Sequence, residues 1–209
     1  MVIFRRLLKD NRAASAAEFG LVVPLLVLLL FGVIDAGRFM WEYNRAEKAT
    51  QIGARMAVVT NVVEQGLIAT DYVGTGGLTQ GDRIPASALG TVSCTGTATT
   101  ATCTCAAGTC PATATPCTTC TNAFLAIVTR MQNLYPPIQA TNVVVEYRGS
   151  GLGFAGDPDH NKPEVSPLVT VRLQNMTFQP IGILKLAAFP MPSFSTTLSA
   201  EDLSGTESN

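Results

Sequence analysis

Six cysteines give this chain its clearest capacity for covalent chemistry, because thiols form disulfides or bind metal ions as thiolates. They fall in a segment, 91–121, made almost entirely of Thr, Ala and Cys, and the sequence has no charged residue or histidine between Ile84 and Thr129. All the cysteines of the chain lie there: Cys94, Cys103, Cys105, Cys110, Cys117 and Cys120. Because their number is even and the segment has little apolar surface with which to fold, three disulfides are the favoured interpretation.

The sequence alone does not choose among the pairings that six cysteines allow. Cys103 and Cys105 are too close to pair with each other, and Cys117 with Cys120 would make a tight bridge. A thiolate metal site is the weaker alternative, since zinc ribbons use two separated C-x-x-C elements and only Cys117–Cys120 has that form; unpaired or partly paired cysteines are the third. We expect segment 91–121 to be an inserted, crosslinked surface loop that lies outside the core.

Other catalytic chemistry has little support in the sequence. His160 is the single histidine, and no serine lies in a nucleophile-elbow motif. The polar stretch 157–162 matches the opening of a calcium loop but lacks its later Gly and Glu, so an exposed turn is favoured. No basic patch occurs outside the N-terminal 12 residues, which argues against nucleic acid. The sequence therefore predicts no enzyme, no cofactor and no nucleic-acid partner.

A carboxylate at Glu18 lies inside an apolar stretch, 13–34, that is long enough to cross a bilayer. At about 1.5 Å per residue this stretch reaches about 33 Å, against a hydrocarbon core of about 30 Å. An acid buried in a membrane costs up to roughly 3 kcal/mol, so Glu18 calls for a partner; the alternative is that it snorkels to the interface. Basic residues precede the stretch and hold the N-terminus in the cytoplasm: Arg5, Arg6, Lys9 and Arg12.

Four short motifs follow one another in the first 60 or so residues. They are Ala14 to Leu26 with its Glu18, Phe19 and Pro24, then Asp35-Ala36-Gly37-Arg38 after Phe31 to Ile34, then Tyr43-Asn44, and finally Gly53-Ala54-Arg55. In these motifs the chain resembles the TadE-like proteins, pseudopilins of the bacterial tight-adherence (Flp-type) pilus system.

The resemblance implies that a prepilin peptidase cuts the leader between Ala13 and Ala14, with Ala13 standing where the family usually has Gly. Glu18 would then be the fifth residue of the mature chain, and it could neutralise the new ammonium group of a neighbouring subunit. Glu18, Phe19 and Pro24 are accordingly the expected assembly residues. The expected partners are the peptidase, other pilins or pseudopilins with the assembly machinery, and the lipid bilayer.

The remaining elements follow from residue periodicity. Apolar residues at steps of three and four continue the helix to a stop at Gln65–Gly66, and they favour packing on the chain's own domain over a seam with a partner helix: Phe39, Tyr43, Ala46, Ala49, Ile52, Met56, Val59 and Val63. Asn122 is expected to cap a short helix that ends before Pro136, and 142–148, 168–174 and 193–200 are expected to be antiparallel strands.

The predicted fold class is therefore α+β and pilin-like, with a long N-terminal helix packed on a small antiparallel sheet and a Cys-rich loop insertion. Its expected parts are a leader at 1–13, a transmembrane helix at 14–35, an amphipathic continuation at 36–66, and an extracytoplasmic domain at 67–209 with the insertion at 91–121. The predicted function is that of a minor pseudopilin in the inner membrane, with its C-terminal domain in the periplasm, or outside the cell once in a pilus. The alternative is a permanently anchored single-pass protein with a disulfide-rich adhesive head.

Overall fold

A computed structural model describes residues 11–111, 117–156, 162–181, 188–200 and 203, with side chains described from residue 15 onward. The chain forms two compact units. The first consists of Met1–Glu42 with Thr177–Phe189, and the second of Tyr43–Met176 with Pro190–Asn209. The polar turn around His160 lies outside the described residues.

Helix α1 (Asn11–Val59) is the longest element and contains Pro24. From Ser15 it is long and apolar enough to cross a membrane, and its most apolar 18-residue window has a mean hydropathy of 2.5 with no part buried inside the protein. This confirms the predicted N-terminal apolar helix. A helix that is apolar around its whole circumference is stable only where something other than water surrounds it.

Helix α1 ends at Val59, before the predicted stop at Gln65–Gly66. The backbone amides that would continue it have other partners, since Val62 donates to the Leu203 carbonyl at 3.2 Å and Val63 donates to the Tyr147 hydroxyl at 3.0 Å. Val62 and Val63 are fully buried, so their side chains gain more from the core than from helical geometry, for which β-branched residues have low propensity.

A five-stranded antiparallel sheet forms the centre of the second unit, in the order β2-β1-β3-β4-β7. Its strands are β1 (Thr91–Gly96), β2 (Ala101–Ala107), β3 (Val143–Arg148), β4 (Leu168–Leu173) and β7 (Phe194–Ser199). The short strands β5 (Thr177–Phe178) and β6 (Phe189–Pro190) pair separately. Within the described residues the other α-helices are α2 (Gly66–Ala69) and α3 (Thr118–Leu134). The α+β class, with a long helix on a small antiparallel sheet, is confirmed.

The face of α1 that packs in the second unit is lined by small residues. Ala46 and Ala49 of the predicted stripe are fully buried, as are Ala54 and Ala57 outside it, whereas Ile52 and Met56 of the stripe are half-buried. A Cβ added to Gly53 would lie 2.6 Å from the Met131 sulfur and 3.3 Å from Val171 Cγ1. Small side chains therefore let the helix approach α3 and the sheet closely, which the positions of the large apolar residues did not predict.

The expectation that segment 91–121 lies outside the core is wrong for its first half. Strand β1 lies between β2 and β3, and Val92 and Cys94 are fully buried. On β2, Ala101 and Cys103 point inward and are 8% exposed each. Alternate residues therefore face the core even though most of them are small, and threonine, which is β-branched, favours the extended backbone between them. A buried disulfide supplies the apolar bulk that aliphatic side chains supply elsewhere.

Helix α3 begins at Thr118 rather than near Asn122, because Cys117 is its N-cap: its sulfur accepts a hydrogen bond from the Cys120 amide at 3.0 Å. The predicted end is confirmed, with Tyr135 as the C-cap directly before Pro136. The predicted buried face of this helix is also confirmed: Phe124, Val128, Met131 and Tyr135.

Candidate functional site

The residues expected to act in assembly lie on the exposed first half of α1. Glu18, Phe19 and Pro24 are all exposed, Phe19 by 70%. Ala13 and Ala14, on either side of the expected cut, lie in the helical backbone, and their side chains are outside the described part of the chain. The structure thus presents Glu18 and Phe19 outward, on a surface made almost wholly of apolar side chains.

A cluster of charged residues, which we call the clasp, begins directly where this apolar run ends. It consists of Asp35, Arg38 and Glu42 on α1. Arg38 lies 3.6 Å from the Asp35 carboxylate and donates to Glu42 Oε1 at 3.1 Å. These are i,i+3 and i,i+4 spacings, so all three side chains share one face of the helix.

The clasp holds the segment that contains β5. The Ile181 amide donates to Asp35 Oδ1 at 2.9 Å, and Arg38 donates to the Gln179 carbonyl at 3.4 Å. The Phe178 ring packs edge-on against Phe39 with centroids 5.4 Å apart, and the Arg38 guanidinium lies 5.4 Å from the Phe178 centroid. Asp35 and Arg38 therefore use both charge and hydrogen bonding to fix a distant part of the chain beside the end of the apolar helix.

Sequence reasoning used Asp35 and Arg38 only as members of a motif and as flanking charges, and it assigned them no contact. The available signal was the i,i+3 pair of opposite charges directly after the apolar run, together with the apolar stretch around Ile181 that had no assigned position. The segment that the pair binds could not be read from neighbouring residues, because Asp35 and Ile181 are 146 residues apart in the sequence.

Two further contacts secure the second half of α1 in the second unit. Arg45 Nε donates to the Leu134 carbonyl at 3.0 Å, and its guanidinium lies 5.6 Å from the Tyr135 centroid. A cation at this place satisfies a carbonyl of the last turn of α3 and complements the helix dipole. Tyr43, one of the residues that carry the family resemblance, packs edge-on against Phe194 at 4.9 Å between centroids.

All six cysteines form disulfides, as their even number predicted: Cys94–Cys103, Cys105–Cys110 and Cys117–Cys120. The first joins directly paired residues of β1 and β2, whose Cα atoms are 4.0 Å apart. The second closes the turn after β2, where Cys105 is exposed, and the third closes the start of α3. The first bridge therefore stabilises the sheet, while the other two close short local loops.

Glu64 is 2% exposed and lies beside the Cys94–Cys103 bridge. Burial raises the pKa of its carboxyl above the ordinary value, although the Gly66 amide, which donates to it at 2.9 Å, acts in the opposite direction. Among the described residues, Glu64, Cys94 and Cys103 bring three potential metal-ligating atoms within 4.8 Å of one another. Both sulfurs are bound to each other, however, so neither is a thiolate that could take a metal ion.

Comparison with known proteins identifies the N-terminal part of the chain. Residues 13–55 match the family model described as TadE-like protein. No curated protein and no solved structure matched the chain. The matched range contains Glu18, the clasp residues and Gly53, and it ends within the part of α1 that packs in the second unit. The match covers 43 of the 209 residues, so it shows a similarity of this segment to the TadE-like family.

Proposed function

We propose that this chain is a minor pseudopilin, a structural or assembly component of a tight-adherence pilus. The observation that carries the proposal is that the TadE-like segment coincides with an exposed apolar helix bearing Glu18. A lone subunit bears the cost of placing that carboxylate in lipid, and association with a second helix relieves it.

In this proposal the N-terminus is cytoplasmic, a prepilin peptidase removes residues 1–13, and residues from Asp35 onward lie outside the cytoplasm. The orientation follows from the higher density of basic residues before the span, with four in residues 1–12, than directly after it, with three in residues 35–48. The Ala14 ammonium created by cleavage then pairs with Glu18 of an adjacent subunit at the membrane boundary. An oxidising compartment for the second unit agrees with its three disulfides.

The N-terminal residue of the mature protein tests this proposal. Expression in a host with the cognate peptidase should yield Ala14 as the first residue, and Ala13→Gly should speed its appearance because the enzyme must fit the side chain before the cut. A bulky Ala13→Leu variant should keep its leader and serves as the matched control. Retention of Met1 in both the natural chain and Ala13→Gly would refute processing.

A permanent membrane anchor with a disulfide-rich adhesive head is the second candidate. It is favoured by Ala13 in the place of the usual Gly, and by the uncharged, disulfide-linked edge strand β2 in the second unit. Mature protein that begins at Met1, remains in the membrane fraction and does not co-purify with pili would support this candidate over the first.

A further inference from the structure

Strand β5 and the residues after it run along α1 towards its apolar half. Phe178 packs against Phe39, and three residues later the Ile181 amide binds Asp35. Phe39 and Asp35 are about one helical turn apart, or about 6 Å along the axis. The chain therefore reaches Ile181 at the level of the first residue after the apolar run, which ends at Ile34.

The residues at this position are apolar and uncovered. We name 177–181 with 188–189 the boundary hairpin; within it, Ile181 is 64% exposed and Phe189 is 43% exposed. Exposed apolar groups of this kind usually mark a surface that another apolar phase or partner covers.

We propose that the boundary hairpin lies in the extracytoplasmic interface of the lipid bilayer beside α1, as a second membrane contact that the clasp holds in place. The inference rests on the proposed membrane-spanning role of α1. Lipid is the occupant that the structure favours because the hairpin surface is continuous with the span: Ile181 is hydrogen-bonded to Asp35, the residue that follows the last apolar residue of the run. Apolar side chains that leave water for the membrane gain free energy in proportion to the area they bury, and side chains held at the interface beside a span help to set its tilt and rotation.

This contact gives the clasp a function in the lone subunit. A hairpin held at the interface on one face of α1 would limit helix rotation and would have to leave the lipid when the subunit is withdrawn into a filament. The bonds from Asp35 and Arg38 would keep the hairpin on the helix during that transfer.

Single-tryptophan variants of the full chain test the inference. The chain has one tryptophan, Trp41, so Trp41→Phe gives a silent background for Ile181→Trp, Leu28→Trp and Phe154→Trp. Leu28 lies within the apolar run, and Phe154 is a 62% exposed aromatic residue of the second unit. Each variant is reconstituted in phosphatidylcholine vesicles with brominated acyl chains, and quenching is compared with unbrominated vesicles. Three intact disulfides and an unchanged far-ultraviolet circular dichroism spectrum establish folding.

We expect bromolipid to reduce the fluorescence of Ile181→Trp and of Leu28→Trp roughly twofold or more, and to leave Phe154→Trp almost unchanged. Quenching of Leu28→Trp without quenching of Ile181→Trp would overturn the hairpin inference while the span stands. Absence of quenching in Leu28→Trp would overturn the span and the inference with it. Quenching of Ile181→Trp that disappears as protein density in the vesicle rises would show that a second protein copy displaces lipid from the hairpin, and would overturn lipid as its preferred occupant.

The role of the clasp is tested in the Ile181→Trp background. Asp35→Ala removes the acceptor of the Ile181 amide and should lower the quenching, whereas Asp35→Asn retains a carbonyl acceptor and should preserve it. Quenching in both variants equal to that of the parent with Asp35 would show that the clasp does not hold the hairpin in the bilayer.

Discussion

Replacing the Cys94–Cys103 bridge by two alanines should destabilise the second unit far more than replacing either of the other bridges. Loop-closure entropy for a sequence separation of 9 amounts to about 2.5 kcal/mol. For separations of 5 and 3 it amounts to about 2 and about 1.5 kcal/mol. Entropy alone therefore distinguishes the three bridges only weakly.

The burial of the sulfur atoms produces a larger difference in expected stability loss between the bridges than loop-closure entropy does. Cys94 is fully buried and Cys103 is 8% exposed, so Cys94→Ala/Cys103→Ala also removes two buried sulfur atoms, each worth about as much as a buried methylene, or about 0.8 kcal/mol. We expect this variant to lose about 4 kcal/mol of the free energy of unfolding, against about 2 kcal/mol for the matched Cys105→Ala/Cys110→Ala variant, whose first position is exposed.

The assay is urea-induced unfolding of the full chain in detergent micelles, followed by near-ultraviolet circular dichroism. All four tyrosines of the chain lie in the second unit, so in a Trp41→Phe background, which removes the only tryptophan of the first unit, this signal reports on the packing of the second unit. An equal loss of stability in the two variants would refute the assignment of the Cys94–Cys103 bridge to the core. It would restore the original expectation of a loop that can be loosened without effect on the sheet.

Three further predictions concern single side chains. Gly53→Val should lower the free energy of unfolding of the second unit by about 1–3 kcal/mol because the added atoms overlap Met131. Gly37→Val should leave it nearly unchanged, since nothing lies within 4 Å of a Cβ added at this position of the same helix. Equal effects would contradict close packing at Gly53. Burial raises the pKa of the Glu64 carboxyl, so its protonated form stabilises the fold. This stabilisation is fully present below the ordinary value of 4.5 and is lost as the pH rises through the folded-state pKa. The Tyr147 hydroxyl is a nearby titratable group. Glu64→Gln should therefore flatten the dependence of unfolding free energy on pH in this range, and an unchanged profile would exclude Glu64 as its source. Glu18→Ala should insert as well as the natural chain but impair pilus assembly, scored by electron microscopy and co-purification with pili; normal assembly would contradict a role for the carboxylate between subunits.

Features encoded by local periodicity and composition were predictable. The apolar run that ends at Ile34 identified the exposed helix, and strands at 143–148, 168–173 and 194–199 were expected nearly where they occur. Each of these signals needs only a window of neighbouring residues, because side chains repeat every 3.6 residues on a helix and every two on a strand. The TadE-like resemblance was likewise visible from short motifs in order.

Strands β1 and β2 were missed because the signal used for a buried strand is bulky apolar residues, and here small residues and a disulfide take their place. The early end of α1 was missed because it depends on hydrogen bonds from Val62 and Val63 to Leu203 and Tyr147, far along the chain. Neither feature has a local signature.

By itself the sequence determined the apolar helix, the carboxylate of Glu18 that costs free energy when the helix lies in lipid, and the even number of cysteines with its disulfide chemistry. Tertiary structure alone decided which cysteines pair, that one pair belongs to the core, and that Asp35 and Arg38 hold the segment that ends at Ile181. The reason is physical: hydropathy and chemical type belong to each residue and its neighbours, whereas pairing and clasping depend on which distant backbone groups the folded chain brings within bonding distance.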